Sequence, residues 1–236
     1  VARGAGTGTT GAAVPTQGGV VVSFARMDRI IEIRPGDRCA VVEPGVLNGD
    51  LQQALQPHGL FWPPDPSSAD RCTIGGNLAC NAGGPRAVKY GATRDNVLGL
   101  VAVTGEGEII RCGGPWTKDA TGYDLTQLIT GSEGTLAVVT RVTLKLYPRP
   151  AHGATLLAPF ATLEAVTAAV PRIVASGVSI TAVASPATRR KSLSWNTTTA
   201  PSALRRTSNS IASAPASIAC TRASTAIWRT ASPGAA

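Results

Sequence analysis

Through residues 1–150, short apolar runs alternate with polar positions and are separated by turns rich in glycine and proline. Residues 19–24 and 30–33 read as strands, and residues 39–42 pair with the latter across Pro35, Gly36 and Asp37. Asn48 is placed to cap a helix whose apolar positions are Leu51 and Leu55, stopped by Pro57 and Gly59. Residues 97–103 and 108–111 form a hairpin over Gly105, Glu106 and Gly107. Within residues 135–146, Leu136, Val138, Val142, Leu144 and Leu146 recur at even spacing, as expected of a half-buried strand pair. The pattern predicts an α+β class with substantial antiparallel sheet.

After residue 150 the pattern changes. Residues 154–160 read as a strand; Val166, Ala169, Val170, Ile173 and Val174 then share one helical face, with Pro171 expected to kink that helix. Beyond Ser185, Ser, Thr and Ala dominate. Residues 186–236 contain no acid; their seven basic residues supply nearly all of the chain's net charge of +8, so residues 1–185 are close to neutral. Three readings of this segment stand: a disordered basic arm that binds nucleic acid, a linker, or a stretch translated out of frame. The out-of-frame reading is preferred, because the segment has no helical or strand period, and the basic arm is disfavoured because Trp195 and Trp228 stand alone with no basic–aromatic stripe.

Candidate chemistry lies in three glycine-dense segments, RGAGTGTTG (3–11), TIGGNLACNAGG (73–84) and GSEGT (131–135). Glycine lets a backbone approach a ligand closely and turn its N–H groups onto phosphate oxygens. Gly6, Gly8 and Gly11 match the dinucleotide fingerprint, with Asp28 at about the distance of a ribose-binding acid. That fingerprint requires a helix to start inside it. Residues 12–19 instead read as extended chain and turn, which disfavours a nicotinamide-dinucleotide site.

The segments, together with HGLFWPPDPSS (58–68), KYGATRDNVLGL (89–100), the run 118–140 and LYPRP (146–150), resemble the FAD-binding (PCMH-type) domain of the vanillyl-alcohol oxidase superfamily. The likeness is to the flavin subunit of glycolate oxidase and the FAD-linked D-lactate dehydrogenases. It implies two α/β lobes, the second mostly antiparallel sheet with helices. Residues 1–150 would be the FAD-binding domain with an incomplete first lobe, residues 151–185 the start of the cap domain, and 186–236 the low-complexity tail. By the same resemblance Gly4, Ala5, Gly6, Thr7 and Gly8 wrap the pyrophosphate, and Pro66, Ser67 and Ser68 pass beside the flavin. Thr73, Gly75, Gly76 and Asn77 contact the ring and ribityl region, and Asn81, Gly83 and Gly84 close that wall. Gly131, Glu133, Gly134 and Val138 line or support the adenine side. Glu133 also fits a helix cap, and Asn77 a turn brace.

Histidine carries covalent flavin in this superfamily, but this chain has only His58 and His152, neither in the first segment, so FAD is expected to be non-covalent. The implied reaction is hydride transfer from the α-carbon of a 2-hydroxyacid to the flavin. The same scaffold with 2-hydroxyglutarate or an alkyl-glycerone phosphate is the alternative, and a nucleic-acid-binding protein acting through residues 186–236 is the alternative of another class. The resemblance also implies iron–sulfur and second flavin-domain subunits as partners, and a cytoplasmic place, peripheral at the inner membrane through those subunits. The base belongs to the cap region, so no catalytic residue is nominated. With that region barely begun, weak or no FAD retention and no turnover are expected of the chain alone. Five cysteines without a CxxC pair predict neither a zinc site nor a disulfide framework, with Cys39 and Cys112 buried as thiols. No apolar run approaches the ~20 residues of a membrane-spanning helix.

Overall fold

The computed structural model describes residues 1–152 and 162–175 and two short paired strands, Ile218–Ala219 and Ile227–Trp228. The expected strand at 154–160 and the basic segment 186–236, those four paired residues apart, lie outside the described residues. The chain divides into two compact units, the first of which contains Val1–Arg149.

The first unit is built on a five-stranded antiparallel sheet. Its strands, in chain order, are β3 (Ile30–Arg34), β4 (Cys39–Val42), β6 (Val97–Thr104), β7 (Ile109–Gly113) and β8 (Ala137–Lys145). Their spatial order is β3-β4-β8-β6-β7, which puts the longest strand in the centre. The expected hairpins form: Arg34 pairs with Cys39, and Val103 with Ile109. Two-residue ladders flank the sheet: β1 (Ala2–Arg3) runs parallel to β2 (Val22–Ser23), and β5 (Leu60–Phe61) antiparallel to β9 (Tyr147–Pro148). Only residues 22–23 of the expected strand 19–24 pair, because Gly18 and Gly19, at φ 75° and 105°, turn the chain beforehand.

β8 is one strand rather than the expected pair. Ala137 and Val139 face the core before Thr140, and Val142 and Leu144 face it afterwards, so the inward positions change from odd to even. The change occurs where Val101 pairs with Arg141 but Ala102 pairs with Val139, leaving Thr140 as the extra residue of a bulge. Its hydroxyl donates to the Val101 carbonyl at 3.2 Å. Without the bulge one half of β8 would turn its apolar side chains to the wrong face.

Five helices accompany the strands: α1 (Asn48–Leu55), α2 (Ile74–Ala79), α3 (Ala87–Tyr90), α4 (Leu125–Ile129) and α5 (Leu163–Ala175). α1 and α2 send Leu51, Leu55, Ile74 and Leu78 into one core with Val42, Val142 and Leu144 of the sheet. Each such side chain fully removed from water is worth about 1.5–3 kcal/mol. Trp62 is fully buried there, and its indole N–H is satisfied by the Asn96 carbonyl at 3.1 Å. Asn48 does not cap α1; it is buried inside the first turn, where its amide donates to the Pro64 carbonyl at 3.0 Å and accepts from Gln52 at 3.2 Å. Pro57 lies in a tight turn over residues 56–58, closed by Gly59 at φ 65°, and His58 is exposed. In the second unit α5 carries Val166, Ala169, Val170 and Ile173 as its partly buried stripe, with Pro171 inside the helix.

Candidate functional site

The three glycine-dense segments converge on α2. Thr73 caps this helix, its hydroxyl accepting from the Gly76 N–H at 3.2 Å. Glycines at its first turn cost roughly 0.5–1 kcal/mol each relative to alanine. Packing explains Gly75: a Cβ there would stand 2.6 Å from the Pro44 Cβ and 2.9 Å from its carbonyl oxygen. The Gly75 N–H donates to that same carbonyl at 2.8 Å. The helix thus lies against the Pro44 turn at backbone distance.

The third segment holds the other end of α2. Gly131 and Glu133 donate their N–H groups, each at 2.9 Å, to the Leu78 and Ala79 carbonyls in the last turn of the helix, the former shared with the Asn81 N–H at 3.2 Å. Gly131 and Gly134 have φ of 92° and 78°; Glu133, between them, has φ 54°, a conformation that a side chain rarely adopts. The Glu133 side chain caps no helix; the side-chain caps among the described residues are Thr73, Asp124 and Thr162.

The first segment behaves differently. Among the described residues, no backbone N–H from Gly4 to Thr10 has a hydrogen-bond acceptor. It runs along α2: a Cβ on Gly4 would meet the Thr73 hydroxyl at 2.5 Å, and one on Gly8 would lie 3.8 Å from the Cys80 sulfur. No helix starts inside it, so the dinucleotide fingerprint has no structural counterpart. The Arg3 guanidinium lies across Gly6, with Nη2 2.6 Å from where a Cβ would be.

A solvent-open cleft of about 70 Å³ opens between the segments. Gly4, Gly75, Gly76, Glu133 and Gly134, predicted residues drawn from all three segments, line it together with the predicted Val138 of β8. Arg3, Phe24, Pro44 and Ser132 also line it and were not anticipated. A second hollow of about 240 Å³ lies beside Gly4, Ala5 and Thr73, with Asp28 and Asp50 on its wall. Gly6, Thr7 and Gly8 continue the first segment outside both hollows, as do Pro66, Ser67 and Ser68 in the turn that leads into Thr73.

Asn77, Asn81, Gly83, Gly84 and Gly131 support the walls rather than line them. Asn77 is 3% exposed, and its side-chain nitrogen is buried with no hydrogen-bond partner. Asn81, at φ 47°, accepts the Arg94 N–H at 2.8 Å. Gly84 has no room for a Cβ against Asp65. Asp65 in turn accepts the Arg86 N–H at 3.1 Å and pairs with its guanidinium at 3.4 Å, while burial pushes its carboxyl above the usual range. Burial likewise raises the thiols of Cys39, Cys80 and Cys112; Cys80 alone of these is exposed, and the neighbouring Glu133 carboxylate raises it further.

A glycine-walled cleft under a free run of amides, at the start of the central strand of an antiparallel sheet, defines a class. Residues 1–113 match the family model described as FAD binding domain, and the chain carries an FAD-binding domain of the PCMH type. It is 54% identical over 177 residues to an uncharacterised FAD-linked oxidoreductase of Mycobacterium tuberculosis strain H37Rv, covering 75% of this chain and 38% of the relative. It is 48% identical over 178 residues to the glycolate oxidase subunit GlcD of Bacillus subtilis, again covering 75% and 38%. The chain therefore spans well under half the length of these relatives. A solved alkyldihydroxyacetonephosphate synthase shares the fold, with a TM-score of 0.61 at 24% identity over 75% of this chain and 34% of that one. Among the described residues no helix is long and apolar enough to cross a membrane.

Proposed function

We propose that residues 1–150 hold FAD non-covalently, as the cofactor-binding part of an oxidoreductase acting on 2-hydroxyacids. The observation that carries the reading is the run of seven backbone N–H groups, Gly4 to Thr10, without acceptors beside a glycine-walled cleft. Backbone amides left free in this way suit phosphate oxygens. The residues also fit the cofactor in two further respects. Gly4, Gly75, Gly76 and Gly134 wall the cleft with backbone, and the buried Asn77 amide has an N–H without an acceptor. His58 and His152 are exposed and lie away in sequence from the first segment, in keeping with a dissociable cofactor.

The chemistry supplied by bound FAD is two-electron oxidation, accepting hydride from the α-carbon of the substrate. This chain's share is binding and alignment. Gly4 to Thr10 would hold the phosphates by donated hydrogen bonds, Gly75 and Gly76 would let the cofactor lie against backbone, and Asn77 would brace that wall from behind. We assign the proton acceptor and the carboxylate-binding groups to the portion of the relatives' length that this chain does not span, with 151–185 as the beginning of that portion. Likeness to a glycolate oxidase subunit favours a glycolate- or lactate-sized substrate and further subunits as partners.

Titrating the chain with FAD and following flavin fluorescence tests the binding reading. Saturable quenching is expected, weak enough for dialysis to remove the cofactor. A chimera in which this chain supplies the matching 178 residues of B. subtilis GlcD tests the chemistry. It is expected to be isolated yellow, to release all its FAD on acid precipitation, and to bleach with glycolate or D-lactate. A folded chimera that stays colourless with FAD in excess overturns the proposal, and one that is yellow but inert to a panel of 2-hydroxyacids, 2-hydroxyglutarate included, overturns the substrate class.

A further inference from the structure

Arg94 was singled out by no motif, yet it touches both of the locked glycine segments. Its backbone N–H donates to the Asn81 side-chain oxygen at 2.8 Å, at the end of the second segment. Its guanidinium Nη2 donates to the Thr130 carbonyl at 2.9 Å, at the entrance to the third. Its own carbonyl accepts from Gln127 at 3.3 Å, one turn earlier on α4. A Cβ on Gly131 would lie 3.0 Å from this guanidinium nitrogen and 3.1 Å from the Asn81 Cβ, so the three residues meet at one point. Both segments have positive φ there, at Gly131 (92°), where glycine allows it freely, and at the side-chain-bearing Asn81 (47°) and Glu133 (54°), where it is costly. Conformations of this kind persist only where surrounding contacts over-determine them.

We propose that Arg94 is a positioning residue that latches the second and third glycine segments together in the one arrangement that receives FAD. The inference rests on the FAD reading above. Arg94 forms no ion pair among the described residues, so its guanidinium serves the loop carbonyl rather than a carboxylate. Without the latch, Glu133 and Gly131 can relax from positive φ, and the amides they give to Ala79 and Leu78 come free. A binding-competent fraction reduced to one-tenth weakens apparent affinity tenfold, because affinity scales with that fraction.

The test uses the whole chain and two readouts. In Arg94→Ala, hydrogen exchange at the Gly131 and Glu133 amides should rise toward free-peptide rates while β6 and β8 stay protected, and FAD affinity should fall about tenfold. Arg94→Lys, which keeps a donor for Thr130, should restore both to within about threefold. Asn81→Ala, which removes the acceptor from the other side, should repeat the Arg94→Ala pattern and stands in for it if that variant does not fold. Gln127→Ala should change neither. Wild-type affinity in Arg94→Ala, or faster exchange with no change in FAD affinity, overturns the latch while leaving the FAD reading intact. Wild-type chain that shows no saturable FAD binding overturns the reading itself, and the inference with it.

Discussion

The first glycine segment and the other two are alike in glycine richness and opposite in hydrogen-bond state. From Gly4 to Thr10 the amides are unspent, whereas Gly75, Gly131 and Glu133 give theirs to the Pro44, Leu78 and Ala79 carbonyls. The glycines differ in the same way. A Cβ on Gly75 would strike backbone and ring atoms of Pro44, while one on Gly8 meets only the Cys80 sulfur at ordinary contact distance. Glycine richness thus covers two jobs here, letting backbone pack on backbone and leaving N–H groups available. Only hydrogen-bond accounting separates them.

The largest expected effect follows from the packed side of this contrast. Gly75→Ala gains up to about 1 kcal/mol of helix propensity. It forces a methyl to 2.6 Å and 2.9 Å from rigid atoms of Pro44. Overpacking of this kind costs about 1–3 kcal/mol and dominates, so the urea midpoint should fall. An unchanged midpoint would mean that α2 does not depend on its approach to the Pro44 turn. Gly131→Ala should cost somewhat less, about 1–2 kcal/mol, chiefly because φ 92° is unfavourable for a side chain. Its neighbours, at 3.0 and 3.1 Å, can yield a few tenths of an ångström.

The outline was legible in the sequence, and specific packing was not. Antiparallel hairpins at 30–42 and 97–113 followed from period-two runs around turn residues, because those signals are local. The β8 bulge was missed since Leu136 and Val138 extend the even pattern by chance, while the inward Ala137 looks unremarkable. Asn48 was misassigned because the cap rule is local, whereas its real partner, the Pro64 carbonyl, comes from across the fold. The three glycine segments were found readily, but their convergence on α2 could not be read from their spacing. Arg94, inside a segment already noticed for its resemblance, carried no periodic or motif signal; what marks it is contact with residues 13 and 36 positions away.

Charge offers a smaller and pH-dependent contrast. Glu43, beside the Pro44 turn, is held below the usual carboxylate range by the Arg29 guanidinium and backbone N–H. Its contribution is present above the unfolded value and is lost as pH falls through the lowered one, so acid should destabilise the chain through this pair. Asp65 is the reverse: burial raises its carboxyl, so its contribution is present at low pH and is lost as pH rises through the raised value. Urea midpoints measured from acid to neutral pH should therefore show Glu43→Gln flattening the loss on the acid side. Asp65→Asn should remove a fall toward neutral pH. Matching slopes in both variants would show that neither group titrates differently on folding.

Gly8→Ala should have the smallest effect on stability. Gly8 does not require positive φ, and the added methyl would lie 3.8 Å from the Cys80 sulfur, so the urea midpoint should shift by no more than about 0.5 kcal/mol. The consequence should appear in ligand affinity instead. The methyl fills the gap through which the first segment lies along α2, holding back the free amides of Thr7 and Gly8 from a bound phosphate. A loss of ~1 kcal/mol in that contact corresponds to about fivefold weaker FAD binding. Gly6→Ala is no substitute for this test, since φ 70° and the Arg3 guanidinium make its cost conformational. If Gly8→Ala lowers stability as Gly75→Ala does, the first segment is scaffold like the others. If it leaves both stability and FAD affinity unchanged, the unspent amides near Gly8 are solvated rather than reserved for phosphate, and the contrast between the segments loses its functional meaning.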